Sequence, residues 1–229
     1  MRRYLPFLII IAVALVTGIA GAWLYRAKMR PLSTTPATVA AAATASSPAE
    51  QKADSDSLHV RGSASAAATL EIYGDFQCPS CAMTSAVIGD LEKDYGPRLR
   101  VIFREFPLAM HQHALEAAMA AEAAGLQGHF WEMHDMLYQY QEVWSKASKP
   151  GRFFSAYAQA LGLNVERFEA DAISDQAKAR IMAEGDAGQA RGVRNTPTIF
   201  LNGNEVRGAF TRDKLQAAIE TAIAGKKKS

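Results

Sequence analysis

A chain of 229 residues with a formal charge of +2 has room for one well-packed globular unit plus shorter segments. The charge is unevenly spread, because Arg2, Arg3, Arg26, Lys28 and Arg30 stand in the first thirty residues without an acidic group, leaving 20 basic against 23 acidic residues elsewhere. That balance argues against a nucleic-acid surface, and two cysteines as close as Cys78 and Cys81 exclude a disulfide-stapled scaffold, since closing so short a loop removes little chain entropy.

Residues 5–25 form an apolar run interrupted only by Pro6, Thr17, Gly18 and Gly21. As a helix at about 1.5 Å per residue the run spans roughly 30 Å, the thickness of a bilayer's hydrocarbon. It is read as an uncleaved transmembrane anchor. A cleaved signal peptide is the alternative, because Ala20-Gly21-Ala22 offers small residues, although signal cores usually run to about 7–15 apolar residues. Basic residues flank both ends, so charge does not orient the segment. Residues 26–57, rich in Ala, Ser, Thr and Pro beyond Pro31, read as a disordered linker that buries too little apolar surface to offset its ordering entropy.

A globular domain is expected over 58–225, followed by a basic tail at 226–229. A strand over 69–73 runs into the turn Gly74-Asp75-Phe76-Gln77. Next, Val87, Ile88, Leu91 and Tyr95 share one helical face, Gly96-Pro97 stops that helix, and a second strand covers 99–106. Strand, helix and strand at this spacing predict parallel pairing with a right-handed crossover. Only helical patterns follow, over 114–125, 130–140, 153–161 and 165–173, which makes about 110–175 a helical insertion. A helix over 176–191 then leads to a strand over 198–201, the hairpin turn Asn202-Gly203 and a partner strand near 205–208. Thr211 is the expected N-cap of a last helix with Leu215, Ile219, Ala222 and Ile223 inward. No repeat of solenoid period is present.

Cys78-Pro79-Ser80-Cys81 falls where the first strand's turn becomes a helix. Pro79 suits the first helical position, where its missing N–H costs nothing, and this places Cys78 at the helix N-terminus. Free N–H groups and the helix dipole favour a thiolate there, so Cys78 is the expected nucleophile. Cys81, three residues on, lies on the same side of the helix and can resolve a mixed disulfide. A structural zinc wants four ligands, and neither a second CxxC nor a well-spaced histidine pair is available, since His111 and His113 diverge and His129 and His134 lie five apart. Thr196-Pro197 enters the strand over 198–201, a position where a proline is tolerated and a cis bond is accessible. Its backbone is expected beside the cysteines, bonding an extended substrate peptide.

Four segments, 73–81 (Tyr-Gly-Asp-Phe-Gln-Cys-Pro-Ser-Cys), 103–108, 131–135 and 192–198, together resemble DsbA-like proteins of the thioredoxin superfamily over about residues 66–224. The resemblance implies an α/β thioredoxin fold (βαβ, helical insertion, αββα), a cis-proline loop at Thr196-Pro197 and dithiol exchange with extracytoplasmic proteins. That context places the amino terminus inside and the domain in the periplasm or extracellular space, or soluble in the periplasm after signal cleavage. Two departures stand out. Ile72 occupies the place of a buried family carboxylate, and Glu71, one residue earlier, should face the other side of the strand. Asn195 stands where the family usually has Gly, and would fill any positive φ there.

Among other residues, Asp75 and Gln77 are candidates to tune the thiolate by proximity, beside Pro79 and Ser80. His111 is read as packing or capping at a helix start, Trp131 and His134 as core, and His59 carries no assignment. The expected activity is protein thiol–disulfide exchange as a dithiol oxidase, without cofactor or metal, as a monomer. Its partners are cysteine-containing protein substrates and a membrane or extracytoplasmic redox protein that resets the dithiol. Alternatives are a reductase or isomerase of the same fold, a peptide-binding or chaperone module with the cysteine pair as a staple, or a metal-binding domain.

Overall fold

The computed structural model describes residues 59–226. The expected anchor at 5–25, the linker at 26–57 and positions 227–229 of the tail lie outside the described residues. No helix among those described is long and apolar enough to cross a membrane.

The fold is a thioredoxin fold built on a mixed sheet. Strands β1 (Val60–Arg61), β2 (Ala68–Gly74), β3 (Leu99–Glu105), β4 (Thr198–Leu201) and β5 (Asn204–Val206) lie in the order β1-β3-β2-β4-β5. The β2–β3 pair is parallel, with Ile72 opposite Phe103, and β4 runs antiparallel to β2, with Ile72 opposite Ile199. Helix α1 (Pro79–Tyr95) makes the crossover between the parallel strands, as the strand–helix–strand spacing predicted. Side chains alternate as a pleated sheet requires. Leu70, Ile72 and Ile199 enter the main core, while Tyr73 and Phe200 join Phe106 and Val193 on the other face. Gly74, at the end of β2, admits the Phe103 ring so closely that a Cβ there would sit 2.4 Å from it.

Between β3 and β4 come α2 (Ala114–Gly125), α3 (Phe130–Gln139), α4 (Gln141–Trp144), α5 (Gly151–Ala160), α6 (Val165–Asp171) and α7 (Asp175–Ala190). Alanines cover nearly every side of α2 and are buried on all of them, so this helix threads the interior of the insertion. The four-residue α4 is too short to show periodicity and went unpredicted; the fully buried Trp144 holds it, with its indole N–H donating 2.7 Å to Leu137 O. Strand β1 was missed for the same reason. Asn202 (φ 46) and Gly203 (φ 86) form the expected turn between β4 and β5. The last helix, α8 (Arg212–Lys226), buries Leu215, Ile219 and Ile223 and leaves Ala222 half-buried.

Candidate active site

The carboxyl end of β2 delivers the chain into a tight turn in which Cys78 N–H donates 3.1 Å to Asp75 O. Cys78 is the N-cap of α1 with extended backbone (φ −76, ψ 119), and Pro79 opens the helix, as the motif implied. The N–H groups of Cys81 and Ala82 turn back on Cys78 O at 3.1 and 3.3 Å. Both cysteines are free thiols, buried under the first turn of α1.

The two sulfurs are electrostatically opposite. Cys78 is lowered to about 4: the Cys81 thiol donates to its sulfur, and Ser80 and Thr196 add to this, which together outweigh its partial burial. Ser80 Oγ lies 3.0 Å from Cys78 Sγ and donates to the thiolate. Burial, and the cost of losing the hydrogen bond to Cys78, hold Cys81 far above the usual thiol range. One proton therefore leaves the pair readily and the other is retained, the division of labour that a nucleophile and a resolving thiol require. The sequence pointed to the helix terminus and did not name the neighbouring S–H, which is the largest of the causes at Cys78.

The Thr196–Pro197 bond is cis. The Thr196 carbonyl oxygen stands 3.5 Å from Cys78 Sγ, to which the protonated thiol donates, and the buried Thr196 hydroxyl favours the charged form of both sulfurs. Asn195 does not adopt a positive φ; among the described residues Asn202 alone does so without being glycine. Asn195 instead accepts a bond from Thr198 Oγ1 at 2.8 Å through its main-chain oxygen, and this closes the loop by a different route.

Asp75 and Gln77 make their bonds within and from the loop that carries the sulfur. Asp75 is buried, and its carboxylate accepts from Gln77 N (2.7 Å) and Leu108 N (2.8 Å) while meeting His111 Nδ1 at 2.7 Å. Burial raises its pKa against these three bonds. Of the two readings of His111, packing or capping, capping does not hold: His113 takes the N-cap position of α2, and His111 packs beside the turn and closes on Asp75. Gln77 accepts from His113 N at 2.6 Å and donates to Ser145 O at 3.5 Å, which joins the loop to the insertion. A residue that sequence reasoning missed completes the joint. Gln141 is buried, and its amide donates to Phe76 O (2.6 Å) and Cys78 O (3.0 Å). Nothing local in the sequence marked it.

Glu71 lies on the other face of β2, as the strand period required, pairing with Arg104 at 3.1 Å and with Arg191. His59 is corrected from no role to a structural one. It is buried, stacks on Phe130 at 4.1 Å, and stands between Glu122 (2.7 Å) and Glu184 (3.3 Å). Burial works to discharge it, but the two carboxylates outweigh that and raise it to about 10. Glu105, fully buried nearby, is pushed well above the usual carboxylate range by burial. Trp131 and His134 pack in the aromatic core as expected, with His134 in contact with the rings of Phe76, Phe103 and Tyr138. Among the described residues no three His, Cys, Asp or Glu side chains converge as a metal site.

Comparison with known proteins yields three kinds of match. The family described as Thioredoxin matches residues 54–221. The Na(+)/H(+) antiporter NhaA 1 of Salinispora arenicola is 38% identical over 173 residues, which is 75% of this chain but 26% of the antiporter. The chain thus spans about a quarter of the length of the curated relatives it matches. Among solved structures, a thioredoxin-like oxidoreductase from Silicibacter pomeroyi is 26% identical with a TM-score of 0.59, covering 71% of this chain and 90% of that one. BdbD from Bacillus subtilis is 20% identical with a TM-score of 0.65, covering 73% and 94%, and shares the fold.

Proposed function

We propose that this chain, a member of the thioredoxin family, is a DsbA-like thiol–disulfide oxidoreductase that oxidises dithiols of extracytoplasmic proteins through Cys78 and Cys81. The observation that carries this reading is the opposed pair, a Cys78 thiol lowered to about 4 and so a thiolate above that pH, beside a Cys81 thiol held far above the usual range. A stabilised thiolate stabilises the reduced enzyme, and a stabilised reduced form makes the disulfide a stronger oxidant.

The cycle balances as follows. A substrate thiolate attacks Cys78 Sγ of the Cys78–Cys81 disulfide, a mixed disulfide forms, and Cys81 leaves and takes up a proton. A second substrate thiolate attacks the substrate sulfur of that mixed disulfide. Cys78 leaves as a thiolate held by Ser80 and the N-terminus of α1, and the substrate gains its disulfide while two electrons remain on the enzyme. A redox partner outside the cytoplasm accepts those electrons. The Thr196–Pro197 segment docks the substrate backbone, supported by its place against Cys78 and by a groove of about 330 Å³ that it shares with Val206 and Phe210.

Residues 5–25 tether the domain to the membrane and 26–57 give it reach, supported by their composition. Redox equilibration with glutathione, read by thiol trapping, tests the direction of exchange. An oxidase should equilibrate near or above the glutathione couple and Cys78→Ser should abolish exchange; a disulfide that glutathione cannot reduce, or undiminished exchange in Cys78→Ser, would sink the reading.

A further inference from the structure

Cys81 presents a chemical problem that the cysteine pair does not solve by itself. When Cys81 attacks a mixed disulfide at Cys78 it must first lose its proton, and in the reverse step it must regain one, yet it is buried on the inner face of the first turn of α1. Ile72, on the strand beneath, offers no proton acceptor. A cavity of about 780 Å³ runs beside α1 and joins Cys81 to the surface. Exposed Asp90, Lys93 and Asp135 line it at the solvent side, and Ile72, Phe103, Tyr138 and His134 line it within. A space of that size with polar groups in its wall holds water.

We propose that His134 exchanges protons with Cys81 through water in this cavity and so serves as the base of the resolving step. Of the groups in the interior wall, Tyr138 is committed, since its hydroxyl donates to Asp75 O at 3.3 Å. His134 is set up differently. Its Nδ1 lies 2.8 Å from Asp135 Oδ1, and Asp135, bonded also to Arg61, is a carboxylate that can only accept. Nδ1 therefore carries the hydrogen, and Nε2 is left with its lone pair. The charged groups that bear on the ring are Asp135 on its own helix and Arg61 and His59 from the β1 segment, while Tyr138, Glu92 and Cys81 share the cavity wall with it. Burial outweighs Asp135 and keeps the imidazole neutral, the form that accepts a proton. In the step itself the Cys81 proton passes through water to Nε2, the Cys81 sulfur forms its bond to Cys78 Sγ, and the bond from Cys78 to the substrate sulfur breaks. The departing thiolate takes a proton from solvent.

This inference rests on the dithiol reading above, and one experiment separates the two. Reduced full-length protein mixed with 5,5′-dithiobis(2-nitrobenzoate) releases one nitrothiobenzoate as Cys78 attacks and a second as Cys81 resolves. In His134→Gln the first phase should keep its rate and the second should slow about tenfold or more, the scale of a lost general base. The second phase should also lose its dependence on pH below the usual histidine range. In His134→Ala, imidazole added to the solution should restore the second phase. Asp135→Ala, a change at an exposed side chain that spares the core, should slow the second phase as well. A second phase unchanged in His134→Gln and Asp135→Ala overturns the role of His134 and leaves the dithiol reading standing. Absence of a first phase in the unaltered protein overturns both.

Discussion

The Asp75 carboxylate and the His111 imidazole meet at 2.7 Å, 36 residues apart in the chain, below the turn that presents Cys78. The same carboxylate holds the amides of Gln77 and Leu108. Asp75→Ala should strand two partly buried N–H groups, each at a cost of about 1–3 kcal/mol. Urea unfolding should show the loss as a lower midpoint with an unchanged slope.

The Asp75 carboxyl also sets a pH signature. Its folded pKa is raised by burial, so the unfolded chain gives up this proton first. The contribution to stability is present at low pH and is lost as pH rises from the ordinary aspartate value through the raised one. Stability measured across that window should fall less steeply with rising pH in Asp75→Asn than in the unaltered protein.

Ser80→Ala should raise the Cys78 pKa, because one donor to the thiolate is removed. A rise of about one unit corresponds to roughly 1.4 kcal/mol, and that to about 30 mV in a two-electron potential. The sign follows from which state suffers. The dithiol form is destabilised, so the potential becomes more negative and the disulfide less oxidising. Titration of thiolate absorbance and equilibration with glutathione read the two quantities independently.

His59 gives a separate signature. Raised to about 10 by Glu122 and Glu184 against the pull of burial, it contributes stability that is complete below the ordinary histidine value and disappears as pH climbs through 10. His59→Leu should leave two carboxylates without their shared cation. Breaking a buried pair in this way costs about 3–5 kcal/mol. Thermal unfolding of this variant should show both the lower stability and a weaker alkaline decline.

How far these features could be read from the chain depends on the distance between the residues that make them. Cys78-Pro79-Ser80-Cys81 and Asn202-Gly203 carry their geometry locally, in a proline at N1 and a turn that tolerates positive φ, and both stand where the sequence put them. The cis bond at Pro197 was an accessible option that the preceding fold made meaningful. Glu71 followed from a period of two, and pairs on the side that alternation dictates. Gln141, bonded to backbone 63 and 65 residues away, has no local signature, since a glutamine between two helices is as often solvated as buried. His59 likewise lies at the edge of the domain, in a segment with no periodic pattern, and its meaning comes entirely from carboxylates supplied by α2 and α7.

The side-chain bridges from Gln77 to His113 and from Gln141 to Phe76 and Cys78 rivet the cysteine turn to the helical cover. A cover fixed in this way cannot swing aside without dismantling the turn it covers, so the two belong to one cooperative unit of opening. Access to the sulfur is then one-sided. On the docking proposed above, an incoming polypeptide would meet a wall along the insertion and lie along the Thr196–Pro197 edge, and selection among substrates would come from the unfolded length a partner can lay there.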